Sequence, residues 1–573
     1  MNILGITGLG VGPAACLVQN GRLIAMAEEE RFNRLKNSYG FLPEKATQFC
    51  LNYGNLSLDE IDYIIFPWDT YRYKFYMPYF FLRTYFQHSP KFQTDTIIPK
   101  LTELLKYQPA NIKNSIISML RTAGIKGKIP PIEFVPHHLA HAANAFYCSG
   151  FKKAHILVID GSGEDKCTTI FKGDDLEIKE IKSFKIPDSL GWFYQSITEF
   201  LGFLPNKHEG KTMALASYGK YNKKIASKFN KIISFDKKGN YKYDASYSFL
   251  GKHVQGTIFS EKMVRLLEHL RYYHEPIETV HKDIAFAAQE TLEEIVVSII
   301  QNIASFSDYN KKICIAGGIG LNCKMNGVIG ALDCVEDIFI PPTSDDAGTA
   351  LGGALYFSRK MGCNPKFKME HAYWGPQFSN KQIEILLDRL NIEYKKDPEI
   401  ELTAAKLLAE NKIIGWFQGR MEIGARALGA RSILANPTKD WMKDKVNLLK
   451  NRELWRPFSP SLLYEAKDEY LINPRESPFM TLAFEIEEKM KSKIPSVVHV
   501  DNSTRAHLVK KEDNPKYWKL INEFGKISGI PVILNTSFNI QGEPIVCTPE
   551  DALRTFYATE IDYLILGDSL ISK

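Results

Sequence analysis

The stretch Pro136–Glu164, which reads PHHLAHAANAFYCSGFKKAHILVIDGSGE, combines the pattern of a helix with that of a strand. Its Ala-rich first half predicts a helix, and residues four apart in a helix lie on one face, so His137 and His141 are expected to be neighbours. The apolar run His155–Ile159 predicts a buried strand that ends in Asp160 and a glycine turn. A helix followed closely by a buried strand is typical of the α/β class.

Two imidazoles one helical turn apart form a candidate site for a divalent metal. Neutral imidazole nitrogens and carboxylate oxygens are common ligands of such ions. Asp160 ends the following strand, and Asp346 opens the small-residue segment SDDAGTA, so a distant carboxylate could join His137 and His141. A pair of hydrogen-bonded helix histidines is the alternative, because a bare HxxxH pattern does not distinguish the two.

The composition is that of an ordinary globular protein with more than one domain. A chain of 573 residues exceeds what one core normally supports, and 45% hydrophobic with 24% charged residues is an average balance. The net charge of +6, without a long Lys/Arg block, argues against an obligatory nucleic-acid partner. No apolar run reaches transmembrane length and the first residues lack a signal-peptide pattern, so we expect a cytoplasmic protein with no membrane partner.

The cysteines predict packing rather than chemistry. Nine are scattered without a CxxC pair, which indicates reduced core thiols rather than disulfides or a zinc ribbon. Cys547 is the one thiol that we single out for a test of reactivity, with a buried structural role as the alternative.

Three short apolar runs open the chain. Ile3–Thr7, Ala14–Val18 and Leu23–Ala27 predict three strands separated by glycine-containing turns. Such a meander, when helices follow it, is similar to the beginning of the actin, sugar-kinase and Hsp70 fold. The charged run Glu28–Phe32 then either forms a solvated end of the third strand or shapes an acceptor pocket. The aromatic segment Pro67–Pro130 is interpreted as packing or as a lid that faces a substrate.

Several glycine-rich turns in the first half are candidates for nucleotide binding. Glycine lets the backbone approach a nucleotide closely, although glycine runs are also common in tight turns. The candidate contacts, taken from DGSGE, HEGKTM and AGGIGLN, are Gly161, Gly163, Glu209, Gly210, Lys211, Gly317, Gly318 and Asn322.

The composition changes after Lys360, and turn signals around residues 361–376 predict a domain boundary, which we place between residues 368 and 369. Downstream, the segments GRMEIGARALGARS, KNRELWRPF and STRA place arginines among apolar residues, and LNTSFN follows a predicted strand. Guanidinium groups in such surroundings are well explained by a bound phosphate, with salt bridges to Glu422 and Glu453 as the alternative. The residues that we predict to handle phosphate are Arg426, Arg431, Lys450, Arg456, Arg505, Asn535 and Ser537. Two separate phosphate-handling regions indicate an enzyme that activates a group and then transfers it.

The motifs together resemble the O-carbamoyltransferases of natural-product and nodulation-factor biosynthesis, the NodU/CmcH family. They are AEEERFNR, HHLAHAA, DGSGE, HEGKTMALASYGK, AGGIGLNC, SDDAGTALGGAL, GRMEIGARALGARSIL, NRELWRPFSPS, STRAHLV and LNTSFNIQGEPIVCTPEDA, and they follow the family's order nearly from end to end. The resemblance implies an α/β fold in two domains. These are an N-terminal actin/Hsp70-like (Kae1-like) duplicated domain over residues 1–368 and a C-terminal YrdC-like domain over residues 369–573.

The resemblance also implies an activity. Carbamoyl phosphate and ATP, the latter with Mg²⁺, would form carbamoyl-adenylate and pyrophosphate in the C-terminal domain. The carbamoyl group would then pass in the N-terminal domain to a hydroxyl, less readily an amine, of a small-molecule or sugar acceptor, and AMP would leave. A homodimer is compatible with the sequence.

The same resemblance implies residue roles. It makes His137, His141, Asp160 and Asp346 ligands of ferrous iron or another divalent ion. It makes Lys450, Arg456, Arg505, Ser537 and Arg426 the set that forms the adenylate.

One departure from the family concerns the acceptor. The family's first strand usually continues into a His-Asp-Ser-Ala stretch whose histidine serves as the base, whereas this chain has Val11, Gly12, Pro13 and Ala14 there. Losing a positioned base typically costs ~10²–10⁴-fold in rate. We therefore expect His138 or a metal-held acceptor to replace it, or the acceptor to be more nucleophilic than an alcohol.

A metabolite kinase on an actin-like fold is the alternative function. It would use the glycine turns and the metal, but it would leave the arginine-rich second domain unexplained. The products separate the two, because a kinase releases ADP. A non-catalytic nucleotide-gated binding module is disfavoured by the clustering of metal, phosphate and arginine motifs, and a tRNA-modifying enzyme by the modest net charge.

Overall fold

The computed structural model describes residues 1–88, 105–250 and 258–573. The chain divides into two compact units. The first contains Met1–Ile24 and Tyr39–Lys368, and the second contains Met369–Lys573 together with Ala25–Ser38. The sequence-based division at residue 368 had assigned Ala25–Ser38 to the first domain. Residues 89–104 of the aromatic segment lie outside the described ranges.

The first unit contains two five-stranded sheets of the same topology. In each sheet, three strands form an antiparallel meander, and the first of them pairs in parallel with a fourth strand that pairs in parallel with a fifth. The strand orders are β3-β2-β1-β4-β5 and β8-β7-β6-β11-β12. The strands of this unit are β1 Asn2–Thr7, β2 Ala14–Gln19, β3 Arg22–Glu28, β4 Tyr63–Phe66, β5 Ile132–Phe134, β6 Lys153–Gly163, β7 Lys166–Asp174, β8 Glu177–Lys185, β9 Ile233–Phe235, β10 Tyr241–Tyr243, β11 Lys312–Ala316 and β12 Asp337–Phe339. The repeated order confirms a duplicated fold of the actin/Hsp70 type, and β1 to β3 confirm the three opening strands. The final residues of β3 are assigned to the second unit.

Helices connect and cover these sheets. The helices of the first unit are Glu44–Tyr53, Thr70–His88, Pro109–Thr122, His137–Cys148, Leu190–Phe200, Glu209–Ala216, Lys223–Ile232, Glu261–Leu267, Thr279–Ala304, Cys323–Gly330 and Ala347–Lys360. Below, His137–Cys148 is called the histidine helix and Ala347–Lys360 the glycine helix.

The histidine helix and the glycine helix lie in backbone contact. A Cβ added at Gly352 would stand 1.8 Å from the Ala140 carbonyl oxygen, and one at Gly348 would stand 2.2 Å from Asn144 Nδ2. Asn144 Nδ2 also donates a hydrogen bond of 2.8 Å to the Thr343 carbonyl oxygen. The small residues after Asp346 therefore allow the start of the glycine helix to lie beside the two predicted histidine ligands.

The second unit is built around an eight-stranded mixed sheet of order β13-β22-β21-β14-β15-β20-β16-β19, with β17 and β18 paired separately. Its core packs helices against the sheet around Trp416, Leu434, Phe524 and Ile565. The strands are β13 Lys395–Lys396, β14 Ile414–Phe417, β15 Arg431–Ala435, β16 Ser459–Leu463, β17 Phe484–Glu485, β18 Ser503–Thr504, β19 His507–Val509, β20 Val532–Ser537, β21 Tyr563–Leu566 and β22 Ser569–Ser572. The helices are Glu30–Asn33, Asn380–Arg389, Ile400–Ala409, Met442–Leu449, Lys467–Tyr470, Glu488–Lys491, Pro515–Ser528 and Pro549–Tyr557. The expected α/β class with two domains is confirmed.

The cysteines and the helices agree with the composition. All nine cysteines fall in the described ranges and are free thiols. Cys547 is 1% exposed, and burial raises the pKa of its thiol to about 12, which is the environment of a packing residue. Within the described ranges, every helix is too short or too polar to cross a bilayer.

Candidate metal centre and cation cluster

Four predicted ligands converge in the first unit. One ligand atom from each of His137, His141, Asp160 and Asp346 lies within 4.8 Å of the others. His137 Nε2 lies 3.2 Å from His141 Nε2, 3.3 Å from Asp160 Oδ2 and 3.6 Å from Asp346 Oδ1. The two histidines are buried and Asp346 is partly exposed. Two imidazoles and two carboxylates are a donor set that suits a divalent cation.

The carboxylates perturb the imidazole of His137. Burial alone would lower the pKa of His137, but hydrogen bonds to Asp160 and Asp346 raise it well above its usual value. Burial alone would raise the pKa of Asp346, but the two histidines hold it well below its usual value. The pocket therefore stabilises positive charge among these four side chains, which is what a cation requires.

The glycine turn after β11 supports Asp160. The Gly318 N–H donates a 3.0 Å hydrogen bond to Asp160 Oδ1, which orients Oδ2 toward the histidines. Gly317 has φ of 88°, and a Cβ there would stand 2.2 Å from the Ile159 carbonyl oxygen. A Cβ at Gly163 would stand 2.6 Å from the rings of both His137 and His138. Gly163, Gly317 and Gly318, which were predicted to contact a nucleotide, thus lie at the candidate metal centre, where they make room for the side chains of the cluster.

The other predicted nucleotide contacts are mostly occupied by local structure. Glu209 accepts a hydrogen bond of 2.6 Å from the Asn206 N–H at the start of its helix. Asn322 exchanges hydrogen bonds with Gln289 and accepts one from the Met325 N–H. The side chain of Lys211 is 2% exposed. The last two predicted contacts are Gly210 and Gly161. Among the residues that the structure describes, none lies within 4 Å of a Cβ added at Gly210, and Trp192 lies 3.6 Å from one added at Gly161.

His138 lies beside the centre but outside the ligand set. Its ring centroid is 6.1 Å from that of His137 and 6.5 Å from that of His141. Nδ1 is 2.8 Å from Thr169 Oγ1, whereas Nε2 is buried and has no hydrogen-bond partner in the described part of the chain. Nε2 is therefore an unpaired nitrogen enclosed by the protein beside the four side chains.

The turn that replaces the family's His-Asp pair also lies at this centre. Gly12 has φ of 62°, and a Cβ there would be 3.4 Å from the Ala347 nitrogen, next to Asp346. Lys106 donates a hydrogen bond to the Leu9 carbonyl oxygen in the same turn. The position where the sequence lacks the expected imidazole, Val11, is therefore next to a turn that lies beside the candidate metal centre.

Aromatic residues of the segment Pro67–Pro130 pack against the centre. The rings of Trp68 and His137 are 4.9 Å apart, and Trp68 also contacts Tyr73 and Tyr107, at 5.6 Å and 4.9 Å. The sequence pattern predicted either packing or a lid that faces a substrate. The contacts show packing of this part of the segment on the imidazole of His137.

The second unit brings several predicted phosphate-handling residues together at Lys450. Its Nζ donates hydrogen bonds to the Ser537 carbonyl oxygen and to both the carbonyl and side-chain oxygens of Asn539, at 2.8 Å and 2.9 Å for Asn539. Burial and the nearby Arg452 and Arg456 hold the pKa of Lys450 well below its usual value. Asn539 and Arg452 were not among the predicted site residues, although both stand in motifs that pointed here.

The neighbouring arginines form a cation cluster with Lys450. Burial and the charge of Arg505 lower the pKa of Arg456, while Glu453, 3.7 Å away, opposes that shift. Arg505 Nε donates to Ser459 Oγ at 3.2 Å. Arg452 lies over the ring of Phe458, 4.4 Å from its centroid. We call Lys450, Arg452, Arg456 and Arg505 the cation cluster.

Backbone carbonyl groups engage the guanidinium of Arg431, one of the residues predicted to handle phosphate. It is fully buried, lies over the Phe417 ring, and donates to the carbonyl oxygens of Gln418 and Ala430, at 2.7 Å and 3.0 Å. Carbonyl oxygens, rather than a phosphate, thus occupy its guanidinium. The side chain of Asn535 is similarly engaged, because it donates to the Ala427 carbonyl oxygen and to Ser461 Oγ. Arg426 lies partly exposed in the loop between β14 and β15.

The charged run after β3 is buried rather than solvated. Glu28, Glu29, Glu30 and Arg31 are each less than 9% exposed. Arg31 donates to the Gly424 carbonyl oxygen at 2.7 Å, and Glu28 accepts from the Gly424 N–H. The interpretation as a solvated strand end is therefore wrong, because the run fixes the glycine- and arginine-rich loop of the second unit.

Together, the duplicated first unit with its histidine and carboxylate cluster and the second unit with its cation cluster define a two-domain α/β enzyme. Residues 2–355 match the family described as Carbamoyltransferase N-terminus, and residues 405–573 match the one described as Carbamoyltransferase C-terminus. The chain belongs to the carbamoyltransferase family and is a carbamoyltransferase, which confirms the resemblance seen in its motifs.

Relatives match along most of the chain. It is 34% identical over 577 residues to nodulation protein NolNO of Sinorhizobium fredii, covering 98% of this chain and 78% of that protein. It is 33% identical over 581 residues to an uncharacterized protein of Methanocaldococcus jannaschii, covering 100% and 99%. Among solved structures, full-length HypF in the phosphate- and nucleotide-bound form is 12% identical with a TM-score of 0.33, covering 64% and 56%. P. abyssi Sua5 complexed with L-threonine is 16% identical with a TM-score of 0.23, covering 31% and 49%.

Proposed function

We propose that this carbamoyltransferase is ATP-dependent, activates carbamoyl phosphate as carbamoyl-adenylate, and transfers the carbamoyl group to a hydroxyl of a small-molecule or sugar acceptor. The observation that carries the proposal is the cation cluster around Lys450. Besides burial, Arg452 and Arg456 lower the pKa of Lys450, and Arg505 lowers the pKa of Arg452 and Arg456, while Glu453 is the carboxylate that opposes the shifts of these two arginines. A polyphosphate is the ligand class that neutralises such a cluster.

The activation step is assigned to the second unit. Carbamoyl phosphate loses its phosphoryl group to water, which gives carbamate and phosphate. A carbamate oxygen then attacks the α-phosphorus of ATP, and pyrophosphate leaves. Lys450, Arg456 and Arg505 stabilise the negative charge on the phosphoryl oxygens, and Mg²⁺ accompanies ATP.

The transfer step is assigned to the first unit. The acceptor hydroxyl attacks the carbamoyl carbon, the carbon–oxygen bond to AMP breaks, and the proton of the hydroxyl passes to a base. His137, His141, Asp160 and Asp346 would hold a divalent cation, ferrous iron or a similar ion. When bound, such a cation supplies Lewis-acid stabilisation of the charge that develops in this step.

His138 is our candidate for the base. The family's histidine is replaced by Val11, and His138 has an unpaired Nε2 beside the centre. His138→Ala should lose transfer while adenylate formation continues. Transfer at the parent rate would instead support an acceptor held by the metal. Restoring the pair with Val11→His and Gly12→Asp should give little gain.

The test separates the two half-reactions. With ATP and carbamoyl phosphate, the parent should release phosphate and pyrophosphate, and mass spectrometry over a panel of sugars and glycosylated metabolites should identify the carbamoylated acceptor. Arg456→Ala should reduce pyrophosphate release at least tenfold, since a charged hydrogen bond is worth ~1.5–3 kcal/mol. His137→Ala should keep pyrophosphate release and lose transfer. ADP as the nucleotide product would contradict the proposal and favour a kinase.

A further inference from the structure

Glu164 lies outside the four-ligand set, yet it contacts the backbone that presents His137. Its Oε1 accepts a hydrogen bond of 2.9 Å from the His137 N–H and one of 2.6 Å from the Asp69 N–H. The side chain is 3% exposed. Both bonds converge on one oxygen atom, so the position of that atom fixes two backbone segments at once.

The segment that contains Asp69 also orients the imidazole of His137. The Pro67 carbonyl oxygen lies 3.2 Å from His137 Nδ1, in position to accept its hydrogen. In the neutral imidazole that a cation requires, this bond leaves the unprotonated nitrogen at Nε2, on the side where Asp160 Oδ2 lies 3.3 Å away. Trp68, between Pro67 and Asp69, packs on the imidazole ring.

Glu164 Oε1 thus connects the backbone of His137 to the segment whose Pro67 carbonyl oxygen sets the tautomer of the His137 imidazole. If Glu164 released Asp69, the turn that carries the Pro67 carbonyl would lose an anchor. If it released the His137 N–H, the first turn of the histidine helix would lose one as well. Groups that hold a metal-binding histidine in this indirect way typically change metal affinity or activity by about 10–100-fold when they are removed.

A purely structural role for Glu164 makes a different prediction. A carboxylate at a helix N-terminus stabilises the helix, and Pro136 offers no side-chain cap there. In that case, removing Glu164 would lower stability, while metal binding by the molecules that remain folded would be unchanged. The distinction can therefore be measured.

We propose that Glu164 is a positioning residue for the divalent cation, acting through the orientation of His137. The proposal rests on the metal centre proposed above, and it extends that centre to a residue that touches no metal. It requires a hydrogen-bond acceptor at the Glu164 Oε1 position and does not require a charge there.

The experiment uses Co²⁺ as the probe on the full chain, with the visible spectrum reporting coordination geometry and a titration reporting affinity. E164A and E164D should bind Co²⁺ about 10–100-fold more weakly and show an altered spectrum. E164Q should stay close to the parent, because its amide oxygen can accept both N–H groups. His137→Ala gives the reference for loss of a ligand.

Asp165 supplies the matched control. It is the next residue and is buried, but it pairs with Arg72 and Lys185, at 2.7 Å and 3.0 Å, rather than with the backbone of a ligand. D165N should therefore leave the Co²⁺ spectrum unchanged, whatever it does to stability. If E164A does not fold, the contrast between E164Q and E164D decides.

Three outcomes would overturn the proposal. Parent affinity and spectrum in E164A and E164D would leave Glu164 a structural role only. Equal losses in D165N would show a general effect of disturbing this region. A parent protein that does not bind Co²⁺ would remove the metal centre and the Glu164 proposal together.

Discussion

Arg34 donates a hydrogen bond of 2.6 Å to the carbonyl oxygen of Ile545, a residue 511 positions further along the chain. The same guanidinium donates to the Pro544 carbonyl oxygen at 2.8 Å and lies 3.4 Å from Asp551. All of these residues belong to the second unit. A short N-terminal segment is thus part of the framework of a unit formed mainly by the C-terminal part of the chain.

Arg34→Ala should destabilise the second unit. The change leaves the carbonyl groups of Pro544 and Ile545 without this donor and leaves Asp551 with the more exposed Arg554, 3.4 Å away. Unsatisfied buried polar groups cost about 1–3 kcal/mol. Arg34→Lys should be intermediate, because one ammonium cannot reproduce the geometry of a guanidinium. Urea unfolding would measure both variants. Arg265→Ala, which breaks an exposed pair with Glu261, is the control and should change little. Equal effects in the two alanine variants would contradict the prediction.

Gly352→Ala should disturb the metal centre. Its new Cβ would meet the Ala140 carbonyl oxygen at 1.8 Å, so the histidine helix and the glycine helix must separate. Overpacking of this kind typically costs about 1–3 kcal/mol, and more where backbone must move. We expect a lower unfolding temperature and weaker Co²⁺ binding.

Gly353→Ala is the matched control for that prediction. A Cβ at Gly353 would meet the Ile65 side chain at 3.2 Å, a contact that small shifts relieve. It should bind Co²⁺ like the parent. Unchanged Co²⁺ binding in Gly352→Ala would show that close packing of these helices does not set the ligand geometry.

His507 should make the second unit less stable as the pH falls. Burial lowers the pKa of His507 to about 3, well below the ordinary histidine value. The unfolded chain therefore binds a proton that the folded chain rejects. Above about pH 6.5 this group does not change the free energy of unfolding with pH. As the pH falls from there toward 3, it lowers the free energy of unfolding by up to about 1.4 kcal/mol per pH unit.

The measurement compares urea unfolding of the parent and of His507→Gln between pH 5 and pH 7.5. The variant should be less stable at neutral pH, because the hydrogen bond between Ser461 Oγ and His507 Nδ1 is altered, but its stability should fall less steeply with acid. Parallel curves for the two proteins would rule out His507 as the source.

The thiols should react according to their burial. Seven of the nine cysteines are buried, and Cys334 and Cys363 are partly exposed. A thiol reagent should therefore label at most Cys334 and Cys363 in the folded protein and all nine after unfolding. Cys547→Ser should leave the count in the folded protein unchanged. Loss of one labelled site in that variant would show that Cys547 is accessible after all.

The sequence predicted which four side chains would come together in the first unit more completely than it predicted the contacts of the second unit. His137 and His141 are one helical turn apart, and Asp160 and Asp346 end or open elements with strong local patterns, so local rules were enough to nominate them. Arg431 shows the opposite case. Its partners are carbonyl groups that every residue carries, and no side-chain pattern reveals which arginine they will surround.

The position of Ala25–Ser38 in the second unit was also beyond prediction. Its charged run looks like a solvated strand end, because the groups that bury it, such as Gly424 and Ile545, are remote in the chain. The support that Glu164 gives to backbone N–H groups left no trace in the sequence for the same reason. Side-chain motifs indicate which residues are candidates for binding a ligand. Contacts between side chains and backbone groups depend on the tertiary structure and leave no such motif.

The pairing of Arg34 with Ile545 has a consequence for biosynthesis. At about 5–20 residues per second, a ribosome needs roughly 25–100 s to make the intervening chain. During most of that time the charged segment Ala25–Ser38, whose first seven residues are buried in the folded protein, has no partner from the C-terminal part of the chain. Most of the first unit is synthesised in that interval. Because the second unit contains Ala25–Ser38, a single cut in the gene does not yield two intact modules.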